Sequence, residues 1–208
     1  MKTLTVNASL IRGAQSCQAK KDVRYYLNGI LLAANGDIVG TDGKCLFHAP
    51  GYGCEVKGEY VPYDKPETDL IVDIDGTIPT SAKTVTFVFH NDSNGICTTD
   101  NGKAFTVTVI DGKYPDYHRI MVEQSRRTSF TDGFGVNISL LSKAESAFGK
   151  GSIVALYHGT ENDSVLIKYD GNTGKANLAL ENATFIVMPC KVAHSFAQLT
   201  RLAQRAVA

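Results

Sequence analysis

The sequence predicts an α+β fold of repeated βαβββ units, about three of them, with a reduced helix in the second and a further helix at the C-terminal end. Three observations lead there. A short apolar strand, a modest helix and several strands of alternating polarity recur along the 208 residues. Asn, Asp and Gly turns separate the strands, and Asn35-Gly36 between two apolar runs is the strongest hairpin signal. The composition, 43% hydrophobic and 20% charged, is that of a folded domain rather than of a disordered or membrane chain.

In the first unit Leu4-Thr5-Val6 reads as a strand and Asn7 as a helix N-cap. Residues 8–20 follow as a helix with Leu10, Ile11, Ala14 and Cys17 on one face, and strands are expected at 25–33, 38–41 and 44–48. Residues 49–66, rich in Gly, Pro and Tyr, read as an irregular connection with a short strand at 59–61. The second unit opens with a strand at 69–72, and Gly76 and Pro79 leave room for at most one helical turn within 73–82. Strands at 83–90, 95–99 and 104–110 complete it, with period-two alternation over 84–89. The third unit starts with a strand at 134–136 and the cap Asn137. Its helix, 138–148, carries Ile138, Leu141, Ala144, Glu145 and Phe148 at helical spacing and ends at Gly149. Strands are expected at 153–157, 164–169, 176–180 and 183–188, then an amphipathic helix over 193–208. The domains are thus expected as 1–121 with two units, 122–192 with one, and the helix 193–208.

Charge and motifs narrow the function. Lys plus Arg and Asp plus Glu each number 21, so a wholesale basic coat for nucleic acid is excluded while a local basic stripe is not. The first residues turn polar with no apolar signal core, and no run approaches the roughly 20 apolar residues of a bilayer helix, so a cytoplasmic location is expected. Cys17, Cys45, Cys54, Cys97 and Cys190 are odd in number and lack CxxC or CxH spacing, which indicates neither a disulfide framework nor a zinc site. Asp73-Ile74-Asp75-Gly76 lacks the later ligands of a calcium loop, and Gly149-Lys150-Gly151-Ser152 lacks the Ser or Thr of a phosphate loop after its lysine. The five histidines are scattered singly and no nucleophile elbow or zinc-protease motif occurs, so no catalytic residue, metal or cofactor is expected.

Four motifs carry a resemblance. Lys21-Asp22-Val23-Arg24-Tyr25-Tyr26-Leu27-Asn28-Gly29 and Thr41-Asp42-Gly43-Lys44-Cys45-Leu46 resemble the middle domain of the bacterial DNA polymerase III β subunit family, the sliding clamps. Asp111-Gly112-Lys113-Tyr114-Pro115-Asp116-Tyr117-His118-Arg119 is similar to that family's DGxFPDYxR linker, and Ile186-Val187-Met188-Pro189-Cys190-Lys191-Val192 to its terminal VVMPxxL. The resemblance implies the DNA-clamp (processivity) fold, in which βαβββ units close a ring around duplex DNA with helices lining the hole. About three units stand here instead of the six of a full subunit, a reduction that would fit a phage or mobile element. If a ring takes about twelve units, four chains would close it as a homo-oligomer.

The resemblance also implies a hydrophobic groove for short peptides of polymerases and repair proteins. By matching position Leu27, Thr41, Gly43, Lys44, Cys45 and Leu46 would form one side, and Ile186, Val187, Met188, Pro189, Cys190 and Val192 the other. Lys44-Cys45 stands where the family has His-Arg, and Met121 where it has Pro, which implies an altered peptide preference. Phosphate contacts would come from Arg12, Lys20, Lys21 and Arg24 at the first helix and from Lys143 and Lys150 at the third unit's. The implied function is a non-enzymatic replication or repair scaffold. The alternative is a non-ring adaptor or decoy that sequesters clamp partners or binds a clamp itself, a reading to which Gln198-Leu199-Thr200-Arg201-Leu202 adds a loose similarity to clamp-binding peptides.

Overall fold

A computed structural model describes residues 2–51, 55–56, 59–60, 65–121, 135–158, 163–170 and 178–190. In chain order these form β1 (Lys2–Asn7), α1 (Ala8–Cys17), β2 (Ile30–Leu32), β3 (Ile38–Thr41), β4 (Cys45–Ala49), β5 (Glu55–Val56) and β6 (Glu59–Tyr60). Then come β7 (Leu70–Ile74), β8 (Thr84–Phe89), β9 (Asn94–Thr99), β10 (Ala104–Ile110), α2 (Ile138–Phe148), β11 (Val154–Tyr157), β12 (Val165–Tyr169) and β13 (Thr184–Val187). Apart from the β5-β6 pair, these strands form one 11-stranded sheet in the order β1-β8-β9-β10-β7-β2-β3-β4-β13-β12-β11. Strands from both sides of the expected 121/122 boundary share that sheet, because β13 pairs antiparallel with β4, Ile186 opposite Leu46 and Val187 opposite Cys45. The expected helix 193–208 lies outside the described residues.

Alternation along the strands divides the apolar residues between two faces. Cys45, Phe47, Phe185 and Val187 point to the face on which α1 and α2 lie, where Phe47, Phe148 and Phe185 meet in the main core. Leu46, Val39, Leu31 and Ile186 point to the other, which the connection after β10 crosses, setting Tyr114 and Tyr117 against them. Each large side chain buried this way contributes roughly 1.5–3 kcal/mol.

The first helix starts where Asn7 accepts from the Ser9 amide at 2.8 Å. It ends at Cys17 rather than at residue 20 because the Ala19 amide turns to the Leu27 carbonyl at 3.1 Å. The strand expected at 25–33 begins only at Ile30. Asn28 bonds both the amide and the carbonyl of Asp22, which closes residues 22–28 into a loop with a 3₁₀ turn at Tyr25–Asn28. No α-helix stands between β7 and β8. Side chains of α1 take its place: Arg12 donates to the carbonyls of Pro79 (2.7 Å) and Ala82 (3.0 Å), while Gln15 donates to Gly76 O (2.8 Å) and accepts from Ile78 N (3.1 Å). The helix packed beside α1 is instead α2, from the third unit.

On α2 the expected stripe is corrected by rotation. Leu140, Ala144, Ala147 and Phe148 are buried, whereas Ile138 is 78% exposed and Leu141 39%. Within 176–180 the described residues form a 3₁₀ turn at Leu178–Leu180, not a strand, and of the strand expected at 134–136 the described part makes one bridge, Gly135 to Cys190.

Candidate functional site

The 111–121 connection builds a wall above the sheet. Tyr117 donates its hydroxyl to Asp37 Oδ2 at 2.8 Å, His48 Nε2 lies 3.0 Å from the same oxygen, and the Gly51 amide donates to Oδ1 at 3.0 Å. Burial by itself would raise the Asp37 carboxyl, yet the hydrogen bonds from His48, Tyr117 and Gly51 together hold it well below the ordinary range. Tyr114 adds a hydroxyl contact to the Val39 carbonyl at 3.4 Å.

Between this wall and the β4 and β13 strand ends lies an apolar groove with a cavity of about 230 Å³. Leu27 and Leu46 form its floor with Ile186, and Met188, 42% exposed, stands at its lip. Pro115, Tyr117 and Ile120 supply the opposite wall and Tyr26 one end. The volume is below the roughly 300–1,000 Å³ of sites for drug-sized molecules, which suits one or two anchoring side chains of a longer ligand.

The loop from β3 to β4 closes the polar end. Thr41 Oγ1 accepts from the Gly43 amide at 3.0 Å and donates to the Cys45 carbonyl at 2.7 Å. Asp42 Oδ1 accepts from the amides of Lys44 (2.8 Å) and Cys45 (2.9 Å), and its Oδ2 lies 2.6 Å from Lys143 Nζ. Gly43 turns at φ +82°, and a Cβ there would meet Arg24 Nη1 at 3.0 Å. Arg24 is itself held by Asp22 at 2.9 Å, which draws the half-buried Asp22 carboxyl down to about 2. The Met188 amide donates to the Lys44 carbonyl at 3.1 Å, continuing the β13-β4 pairing past the strand ends at the edge of the groove.

The structure thus gathers Leu27, Thr41, Gly43, Lys44, Cys45, Leu46, Ile186 and Met188 around one cavity. Val187 does not join them, because strand alternation turns it into the core beneath the helices. Pro189 and Cys190 lie past the lip, where Cys190 bridges Gly135, and Val192 is outside the described residues. Arg24, Tyr26, Pro115, Asp116, Tyr117 and Ile120 also line the cavity, none of them among the expected groove residues. The tyrosines of the 111–121 motif were the available signal, since an exposed linker has no use for buried aromatic rings.

The residues expected at phosphate divide. Arg12 is committed to Pro79, Ala82 and Ser9, Arg24 to Asp22 at the groove mouth, and Lys143 to Asp42. Lys20, Lys21 and Lys150 are exposed. Among the described residues no group of three or more His, Cys, Asp and Glu side chains is arranged to hold a metal ion, and no helix is long and apolar enough to cross a membrane.

Helices on one face of an antiparallel sheet, with a groove at the seam between its first and third units, define a DNA-clamp fold. The crystal structure of the DNA polymerase III subunit beta from Pseudomonas aeruginosa superposes with a TM-score of 0.60 over 92% of this chain and 67% of that one, at 20% identity. In sequence the chain is 28% identical over 126 residues to the beta sliding clamp of Vibrio cholerae, covering 57% of this chain and 32% of the relative. It is 30% identical over 119 residues to that of Pseudomonas aeruginosa, covering 54% and 30%. No family model matches. In sequence the chain is similar to bacterial sliding clamps, and its matches span about a third of the length of these two.

Proposed function

We propose that the protein is a non-enzymatic DNA replication or repair scaffold of the sliding-clamp kind, whose working site is the groove between the 111–121 wall and the ends of β4 and β13. Its ligands are short extended peptides of DNA polymerases or related proteins that insert a Leu or Phe anchor. The observation that carries this reading is the convergence of Leu27, Leu46, Ile186 and Met188, from three separate stretches of chain, on one apolar cavity. Apolar walls with backbone groups at the strand ends suit an extended peptide, and the deformable Met188 suits varied partners.

Fluorescence anisotropy with a labelled synthetic peptide carrying a Leu-Phe anchor tests it. Binding is expected near a micromolar Kd, about −8 kcal/mol, and Met188→Ala with Leu46→Ala should abolish it. Undiminished binding by the double variant would refute the groove assignment.

A second reading is favoured by one observation: Arg12, Arg24 and Lys143 have their charges engaged inside the chain. In this reading the protein is a non-ring adaptor that holds clamp partners through the same groove without encircling DNA. The salt dependence of duplex binding, taken up below, separates the two.

A further inference from the structure

We propose that Lys143 is a positioning residue of the groove: its ion pair with Asp42 sets the course of the 41–45 loop, and with it the affinity for an apolar-anchored peptide. The inference rests on the groove reading above and adds the part played by α2, which contributes no lining residue.

Lys143 and Asp42 are 101 residues apart in sequence, and their side chains meet at 2.6 Å. Both are partly shielded from solvent, with side-chain exposures of 34% for Lys143 and 17% for Asp42, so water screens the pair less than a fully exposed one. Both oxygens of Asp42 are in use. One caps the Lys44 and Cys45 amides and lies 3.5 Å from the Cys45 thiol, and the other takes Lys143.

The loop that Asp42 organises has four lining residues: Thr41, Gly43, Lys44 and Cys45. Its Lys44 carbonyl also receives the Met188 amide, so a shift of Asp42 reaches the end of β13 as well as the loop. Behind Lys143 stands a fixed base, because Leu140, Ala144, Ala147 and Phe148 bury α2 in the main core. Burial acts against both charges, but the contact outweighs it. Lys143 with the two loop amides holds the Asp42 carboxyl below the ordinary range, and Asp42 lifts the Lys143 ammonium above its own.

The test is a double-mutant cycle on the full chain, read with the same labelled Leu-Phe peptide. Lys143→Met is expected to weaken binding about tenfold, Asp42→Asn by a similar factor, and the pair of substitutions no more than either alone. Lys143→Arg, which keeps the charge, should restore affinity to within about twofold. In amide NMR spectra of the peptide-free protein, Lys143→Met should shift resonances at 42–46 and at Met188 while those of β8, β9 and β10 stay in place. Wild-type affinity in Lys143→Met, or single effects that add in the double variant, would overturn the positioning role and leave the groove standing. Absence of peptide binding by the unsubstituted chain would overturn both.

Discussion

Asp37 lines no part of the groove, yet it holds one wall in place. Its carboxylate takes hydrogen bonds from Tyr117, the Gly51 amide and the Asn35 side chain, and pairs with His48, all within a site only 6% exposed at Asp37. A carboxyl whose folded pKa is depressed stabilises the fold fully above its unfolded pKa of about 3.9, and that contribution is lost as the pH falls below it toward the folded value. Urea midpoints should therefore drop between pH 5 and pH 3 in the unsubstituted protein. In Asp37→Asn the unfolding free energy should already be lower at pH 7, by roughly 2 kcal/mol, with a flatter acid limb. An equal acid limb in both proteins would move the acid-sensitive group elsewhere.

Among the elements, the two helices illustrate different limits on local signals. The buried face of α1 follows directly from the spacing of Leu10, Ile11, Ala14 and Cys17, and its close seat needs Gly40 on β3, where a side chain would run into the Ala14 carbonyl. Helix α2 carries two overlapping apolar stripes, Ile138 with Leu141 and Leu140 with Ala147, and contact with α1 and β13 selects the second. Thermal or urea unfolding should then find Leu140→Ala costing about 2–5 kcal/mol and Ile138→Ser within about 0.5 kcal/mol. The reverse order would mean that α2 is turned the other way. The missing helix of the second unit follows the same logic, since Arg12 and Gln15 satisfy the backbone groups of 76–82 that a helix would have paired internally.

For the whole molecule the question is whether the helix face meets DNA. With Arg12, Arg24 and Lys143 engaged, exposed Lys20, Lys21 and Lys150 are the cations left from the six expected at phosphate. A clamp that encircles duplex DNA should show a falling log affinity with log salt, and Lys20→Ala with Lys21→Ala should reduce that slope by up to about two. Duplex binding without this change, or no binding at low salt, would favour the adaptor reading. The sheet ends in β1 and β11, and β11 with the residue before it exposes Leu156 and Ile153, so any ring would have to join through edges of this kind.

By itself the sequence determined most of the strands, the two described α-helices and their N-caps Asn7 and Asn137, and through matched motifs it pointed to the stretches that hold β4 and β13. These depend on side-chain periodicity, turn chemistry and matched motifs, all local to a few residues. Only the tertiary structure decided that 25–28 turns as a 3₁₀ segment, that Val187 faces the core, and that the 111–121 connection is a wall. It also decided that Arg12 and Lys143 serve partners 67 to 101 residues away. Such outcomes belong to pairs of distant groups competing for each other, and a cation looks the same in sequence whether it awaits a phosphate or already holds a carboxylate.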